Sequence, residues 1–99
     1  MKKKFAFLLM GIHYDPEIHH ASFETEKQTT YIYSVKDFDG AKQKVKQLEQ
    51  AGFGAIELCG AFGPEKAAEL ASLTGDKIAV GYVVHDPAMD EAFARFFSK

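Results

Sequence analysis

Short apolar runs alternate with segments of helical periodicity along most of the chain. The runs at residues 5–12, 54–59 and 78–84 are short and continuous, as expected for strands that are covered on both faces. Residues 29–35 are dense in β-branched and aromatic side chains and predict a further strand. Strands separated by helices are normally parallel, because a parallel connection must cross back over the sheet. The alternation therefore predicts a mostly parallel sheet.

Start and stop signals mark three helices between and after these strands. Asp37 can cap a helix that ends near Gly52, a residue suited to the left-handed position that follows a helix. Pro64 is tolerated at the start of a second helix, and the pair Asp86 and Pro87 repeats that pattern before the last one. The apolar face of the last helix is predicted to consist of Met89, Ala92, Phe93, Phe96 and Phe97.

The order of these elements predicts a single α/β domain over residues 1–99. A short strand at residues 22–26 could form a hairpin with the strand at residues 29–35. The predicted fold has two layers, with a mostly parallel sheet of four to five strands and three helices on one face. A flavodoxin-like sandwich of three layers, with helices on both faces of the sheet, remains open as the alternative.

Composition and charge narrow the classes of protein. The chain is 46% hydrophobic and 26% charged, which is ordinary for a globular domain and unlike a disordered one. Its net charge is −2, and no basic stripe is interleaved with aromatic residues, so nucleic-acid binding is not expected. No apolar stretch reaches the length of a membrane span, so no membrane partner is expected either.

The cysteine content and the first apolar run indicate the cellular compartment of the protein. The single cysteine, Cys59, excludes an internal disulfide and a metal site built from several cysteines. Residues 5–12 follow three lysines, as in a secretory signal peptide, but the run is too short and lacks a cleavage site. The expected location is therefore the cytoplasm.

Polar and small residues follow three of the buried runs at their carboxyl ends. In parallel α/β sheets ligands gather at this edge, where the loops lead into helices, so turns that are far apart in sequence should meet there. The sequence predicts a small-molecule site at this edge, although it indicates no particular cofactor. The candidate ligand-binding residues, apart from the candidate acids and bases, are Tyr14, Cys59, Gly60, Gly63, Tyr82 and Asp86.

Glu57 is the most informative of the candidate site residues. Alternation along the strand puts Ile56 and Leu58 on one face and Glu57 on the other. The neighbours of Glu57 on the last strand could be Ala79, Gly81, Val83 and His85. A carboxylate in the middle of a buried strand needs a partner. Glu57 is either a general base or ligand-orienting group, or a structural carboxylate bonded to a histidine, a tyrosine or a second subunit.

Two histidines could work with Glu57. His13 and His85 each follow a strand, so either is a candidate acid or base, and with Glu57 they have the ligand types of a divalent metal site. Their spacing matches no metal-binding signature, so ordinary hydrogen bonds are the prediction and no metal is assigned. His19 and His20 lie in a long polar loop over residues 15–28, where solvation is expected.

The turn after Glu57 has two further interpretations. Cys59 precedes a helix N-terminus that would favour a nucleophilic thiolate, although cysteine is also commonly a small buried hydrophobic residue. Gly60 and Gly63 expose backbone amides that could bind an anion. Glu65 weakens that case, because it already supplies a negative charge to the first turn of the helix.

Three motifs resemble a known sequence family. The runs FAFLLMG, GAIELCGAFGPE and VGYVVHDP are similar to those in a family of small bacterial proteins of about this length, known only as a domain of unknown function. The resemblance covers nearly the whole chain and implies a cytoplasmic protein, but it carries no activity with it. More distantly, the strand, glutamate and glycine turn looks like the strand ends of (β/α)-barrel enzymes, of which this chain would be about half.

The predicted fold leaves one face of the sheet without helices. Exposed apolar sheet of this kind usually marks an interface, so a homodimer or larger oligomer is expected. Three functions stay open: a small-molecule enzyme such as a lyase, isomerase or hydrolase; a ligand-binding or regulatory module without catalysis; and an interaction protein whose polar strand residues only fix the subunit register.

Overall fold

A computed structural model describes residues 2–98, which form one five-stranded sheet with helices on one of its faces. The order of strands and helices predicted from the sequence is confirmed. The strands are β1 (Lys3–Met10), β2 (Ala21–Glu24), β3 (Gln28–Val35), β4 (Ala55–Leu58) and β5 (Ala79–Tyr82), and the helices are α1 (Phe38–Gln50), α2 (Gly63–Leu73) and α3 (Asp90–Phe97), the last preceded by a 3₁₀ turn at Pro87–Met89.

The strands lie in the order β2-β3-β1-β4-β5 across the sheet. β1 pairs in parallel with β3 on one side and with β4 on the other, and β5 pairs in parallel with β4. Only β2 runs antiparallel, as the predicted hairpin with β3. The chain thus leaves β1 toward one edge and leaves β4 toward the other, which is the strand order of doubly wound folds.

Helices α1 and α2 cover the same face of the sheet. Asp37 caps α1 by accepting a hydrogen bond from the amide of Gly40 at 2.8 Å, and Gly52 takes the predicted left-handed conformation after its end, with φ 87°. The apolar stripe of α1 is buried, as is that of α2. The core beneath the two helices consists of Ala6, Leu8, Val35, Ala41, Val45, Leu48, Phe53, Ile56, Leu58, Phe62, Ala67, Leu70 and Ile78.

The second face of the sheet carries no helix within residues 2–98. The connections β3 to β4 and β4 to β5 run in the same direction, so right-handed crossovers place both helices on one side. The connection from β1 to β3 runs the other way and would carry a helix on the second face, but residues 11–20 form turns and β2 joins the sheet edge. The two-layer prediction is confirmed and the three-layer alternative is not adopted.

We call this uncovered surface the open face. Cross-strand pairs share a face, so the pairings of β1 with β3 and β4 define which side chains lie there. Its members are mostly aromatic and aliphatic, and several are partly or largely exposed to solvent. The open face consists of Phe5, Phe7, Leu9, Phe23, Ile32 and Glu57, with the smaller residues between them.

Helix α3 does not pack on the sheet, which corrects the prediction of three helices on one face. Within residues 2–98 it packs chiefly against the 3₁₀ turn before it, and Phe96 and Phe97 are 74% and 73% exposed. Helix signals in the sequence tell where a helix begins but not which surface it packs against. We call residues 85–98 the arm, and it helps to give the chain a long axis of 43 Å.

A set of local hydrogen bonds holds the start of the arm in a helical turn. A side-chain oxygen of Asp86 accepts from the amide of Ala88 at 2.9 Å, and the carbonyl of Asp86 accepts from the amide of Met89 at 2.8 Å. His85 adds a hydrogen bond of 2.8 Å between Nε2 and Oδ1 of Asp90. The Asp86 and Pro87 signal therefore starts a helical segment as predicted, although that segment does not pack on the sheet.

The strand boundaries differ from the predictions by a few residues. β1 ends at Met10, because the chain turns after it and Ile12 is 79% exposed. β5 ends at Tyr82, although the amide of Val83 still donates to the carbonyl of Leu58 at 2.9 Å. The strand predicted at residues 22–26 is β2, which begins one residue earlier and ends two residues earlier, and it pairs with the edge of β3.

Aromatic rings of β3 pack beside helix α1. Tyr31 and Tyr33 stack with their centroids 5.5 Å apart, and Nζ of Lys44 lies 4.0 Å from the centroid of the Tyr33 ring. Burial raises the pKa of Tyr33, and the nearby Tyr31 raises it further. Burial lowers the pKa of Lys44. The two groups therefore act on alkaline stability with opposite signs.

Replacing Tyr33 with phenylalanine is expected to flatten the loss of stability at high pH. Because the pKa of Tyr33 is raised above 10.0 in the folded protein, its contribution is complete below that pH and is lost as pH rises through the folded pKa. Lys44→Met should instead steepen the loss of stability at high pH. The lowered pKa of Lys44 adds stability as pH rises toward 10.5, and the variant lacks that gain. Urea unfolding from about pH 9 to about pH 11 measures both slopes; equal slopes in the three proteins would contradict the assignment.

Candidate functional site

The carboxyl ends of β1, β4 and β5 emerge on one edge of the sheet, because these strands are parallel neighbours. After β1 the chain turns, with the amide of Tyr14 donating to the carbonyl of Gly11 at 3.2 Å. After β4 it turns toward α2, with the amide of Phe62 donating to the carbonyl of Cys59 at 3.2 Å. β1 and β4 are adjacent strands whose connections leave in opposite directions. Ligands bind at this switch point in open α/β sheets.

Glu57 lies on the open face, beside the two strands that flank β4. Its register partners are Phe7 on β1 and Gly81 on β5, so the predicted position opposite Gly81 is confirmed. The side chain lies across Gly81, where an added Cβ would come within 2.5 Å of Oε1 and 2.8 Å of Oε2. Glycine at this position therefore makes room for the carboxylate.

The Glu57 carboxylate has no hydrogen-bond or ion-pair partner among the residues that the structure describes, and the side chain is partly buried. Its surroundings on the open face are aromatic and aliphatic, with Phe7 directly beside it. A carboxylate in such surroundings stays hydrated only while the face is uncovered, and it would need a donor once the face was covered.

The two candidate histidines lie on the same edge of the sheet but not against Glu57. His13 is exposed in the turn after β1. His85 belongs to the arm, where its ring bonds to Asp90 and stacks on Phe93 with the centroids 4.1 Å apart. Between residues 2 and 98, neither histidine forms an ion pair or hydrogen bond with Glu57. Acid–base pairing of Glu57 with a histidine stays a prediction.

Residues of the turn after β4 have mainly structural contacts. Sγ of Cys59 accepts a hydrogen bond from the amide of Met10 at 3.4 Å, and the side chain packs against the core. Gly63 starts α2 with φ 76°, a conformation that glycine adopts without strain. Gly60 faces the carbonyl of Val83, 3.9 Å from where its Cβ would lie. The first turn of α2 has no side-chain cap.

The remaining predicted ligand residues are divided among three places. Tyr82 pairs with Leu58 and therefore lies on the helix-covered face, opposite to Glu57. Asp86 caps the 3₁₀ turn of the arm. Tyr14 packs edge-on against His19, with the ring centroids 6.1 Å apart. The edge of the sheet brings these residues to one end of the molecule without gathering them into one pocket.

The loop after β1 is held by contacts that the sequence did not indicate. The amide of Asp15 donates to Nδ1 of His19 at 2.8 Å, and a ring nitrogen of His20 lies 3.0 Å from the carbonyl of Glu17. The hydroxyl of Ser34, which is buried on the open-face side of β3, donates to the carbonyl of His19 at 2.7 Å. Both histidines are exposed, as predicted, but they also shape the loop. No local pattern in the sequence points to Ser34.

Two clefts border the sheet, and neither contains Glu57. One of about 670 Å³ lies at the amino ends of the strands beside the lysines at positions 2 to 4. Two of those lysines already have partners, since Lys2 pairs with Glu24 and Lys4 donates to the carbonyl of Ala51. The other, of about 310 Å³, lies between Pro16 and the start of α1. We favour the switch point over the larger cleft because the fold places ligand sites at carboxyl ends.

Residues 2–98 contain neither a metal-ligand cluster nor a helix that could span a membrane. In that part of the chain, no three His, Cys, Asp and Glu side chains converge in the way that a metal ion would require. None of its helices combines the length and apolar character needed to cross a bilayer.

The strand order is that of a doubly wound α/β protein, with one sheet face covered by helices and the other open. Residues 3–98 match a family of unknown function, DUF6506, and the chain belongs to that family. The resemblance to a small domain of unknown function is thereby confirmed. Among curated proteins, none matches the chain.

Proposed function

We propose that this protein binds a small molecule on the open face around Glu57, at the carboxyl-end half of the sheet, and that a second copy covers the face to complete the site. The observation that carries the proposal is the Glu57 carboxylate lying over Gly81 on an apolar face, without a partner among residues 2–98. A single chain offers only one wall around this group. Self-association would remove the apolar side chains from water and enclose the carboxylate.

The surroundings of Glu57 suggest the chemistry of the ligand. A carboxylate accepts hydrogen bonds and attracts positive charge, whereas the side chains around it favour an apolar body. The ligand that fits is a small organic molecule with an apolar portion and a hydrogen-bond donor, such as a hydroxyl or a protonated amine. The cytoplasm is the expected place of action.

Catalysis is the more specific form of this proposal. Glu57 would act as general base or acid, with His13 of the neighbouring turn as its nearest candidate partner along the switch point. A lyase, isomerase or hydrolase would use such a pair. His85 could join only by leaving Asp90 and Phe93, to which its ring is held in one chain.

The alternative is an oligomeric binding or interaction module without catalysis. The contacts of His85 favour it, because a histidine that is bonded within the arm serves the shape of the arm rather than a reaction. In that case Glu57 would only orient a ligand or fix the register between two copies.

Glu57→Gln is expected to remove the response to ligands while leaving the fold intact. In a thermal-shift screen of small amines, alcohols and carboxylic acids, compounds with a donor group should raise the Tm of the parent. The glutamine variant should bind these compounds about 10- to 100-fold more weakly, the value of one charged hydrogen bond. Equal responses in both proteins, or no stabilising compound in the screen, would count against the proposed site.

Three further variants, one test and two controls, separate the position of the carboxylate from its charge. Gly81→Ala keeps Glu57 but places a methyl group where its oxygens lie, so the flexible side chain must move and ligand binding should weaken. Gly54→Ala is the matched control, because nothing lies within 4 Å of its added Cβ. Glu26→Gln, in the exposed turn of the hairpin, controls for the loss of a carboxylate.

A further inference from the structure

We propose that the arm of one copy docks on the open face of a second copy and receives the arm of that copy in return, forming a two-fold dimer by exchange of α3. The inference rests on the proposed self-association and specifies how the open face is covered. A reciprocal contact of this kind is closed, since each chain supplies one arm and one face.

The arm carries an apolar stripe that packs on no strand or long helix within residues 2–98, apart from the stack of Phe93 on His85. Met89, Phe93, Phe96 and Phe97 are spaced by four, three and one residues, so they lie along one side of the helix, and all four are exposed. Arg95 lies on the opposite side, where it would stay in solvent. An isolated helix of 8 residues is too short to be stable in water and needs a packing partner.

The open face has the size and character to receive that stripe. It is the face that a helix covers in doubly wound folds, and its central side chains are Phe7, Leu9 and Ile32. A helix of this length extends about 12 Å and would cross two or three strands spaced about 4.8 Å apart. Its charged side chains are Glu57, toward one side of the surface, and Lys3, at the amino end of β1.

The direction of the arm favours a second copy over the same chain. Within residues 2–98 the arm packs chiefly on the turn before it and leaves Phe96 and Phe97 largely exposed, so its own sheet does not cover the stripe. A second copy can receive the arm as it stands. The radius of gyration of 14.0 Å, against about 13 Å for a compact chain of this length, fits an arm that projects outward.

The area that this exchange would bury matches a stable dimer. The exposed parts of the stripe amount to on the order of 500 Å² for each arm, given roughly 200 Å² for a large side chain. The sheet beneath would lose a similar area, and the contact occurs twice. The total of about 2,000 Å² lies at the upper end of the standard range for specific interfaces.

Complementation between two variants tests the exchange. An arm variant, Phe96→Asp with Phe97→Asp, keeps an intact open face. A face variant, Phe7→Asp, keeps an intact arm. Sedimentation equilibrium should find the parent dimeric and each variant alone at least a hundredfold weaker in dimerisation. Mixing the two variants should restore a heterodimer, because one intact arm then meets one intact face. Arg95→Asp, off the stripe on the same helix, should dimerise like the parent.

Each other outcome overturns the exchange in a recognisable way. If the arm variant dimerises like the parent, the copies meet without the arm, and the proposed ligand site survives. If both variants are monomeric and mixing restores nothing, the arm of one copy does not dock on the face of another, and the exchange is ruled out. A monomeric parent would remove self-association, while the Glu57→Gln comparison still tests the ligand site. Circular dichroism verifies that each variant is folded, and Ile32→Asp replaces Phe7→Asp if the latter unfolds.

Discussion

Replacing Leu8 with alanine is expected to lower the free energy of unfolding by about 3 to 5 kcal/mol. Leu8 is fully buried on the central strand, between Tyr33 of β3 and Leu58 of β4, and beneath the helices. The cost combines the lost transfer free energy of the side chain with the cavity that rigid neighbours cannot close. Small domains have only about 5 to 15 kcal/mol in total, so the variant should be barely folded.

The measurement is urea unfolding with a matched variant on the same strand. Leu9→Ala removes the same atoms from the open face, where the side chain is only partly buried, and should cost the isolated chain about 1 kcal/mol. The Tm of Leu8→Ala should fall by on the order of 20 °C. Both leucine variants are made in the Phe96→Asp and Phe97→Asp background, which removes the proposed dimer. Comparable losses there would mean that the open face is already covered within one chain, contrary to the fold described here.

Replacing Phe62 with alanine is expected to lower the free energy of unfolding by about 3 to 5 kcal/mol. It should also disturb the turn after β4, at the carboxyl-end edge of the sheet. Phe62 is 4% exposed and joins the core directly before α2, where its amide bonds to the carbonyl of Cys59. Its ring anchors the turn that follows β4 at the switch point. The loss of that anchor should therefore weaken ligand binding in addition to lowering stability.

The control for this change is Phe23→Ala on the edge strand. Phe23 is largely exposed on the open face, so its truncation should change the stability of the isolated chain by about 1 kcal/mol or less. Thermal unfolding and the ligand-induced shift in Tm are measured on both variants. If Phe62→Ala unfolds like the parent, the ring does not hold the turn between β4 and α2, contrary to this prediction.

The strand and helix order could be predicted because each segment has a strong period of its own. The parity of Ile56, Glu57 and Leu58 fixed the face of the carboxylate, and the structure places Gly81 opposite to it as expected. The parallel direction of the strands followed from the helices between them. These features depend on residues that are close together in the sequence, so a single sequence is enough to predict them.

The location of α3 could not be predicted in the same way. Its apolar stripe is as clear as that of α1, yet within residues 2–98 it packs chiefly on the 3₁₀ turn before it and leaves Phe96 and Phe97 exposed. The same holds for Ser34, whose bond to the carbonyl of His19 joins a strand to a distant loop. A sequence pattern identifies an apolar surface but not the body that covers it.

The register of the central strand has a consequence for how the chain acquires its structure. Leu8 pairs with Tyr33 on one side and with Leu58 on the other, so β1 precedes both of its neighbours by long stretches of chain. Contacts of such high sequence separation close slowly, because the loops lose entropy before any pairing is gained. During synthesis from the N-terminus, β1 therefore lacks its second neighbour, β4, until residues 55–58 have emerged.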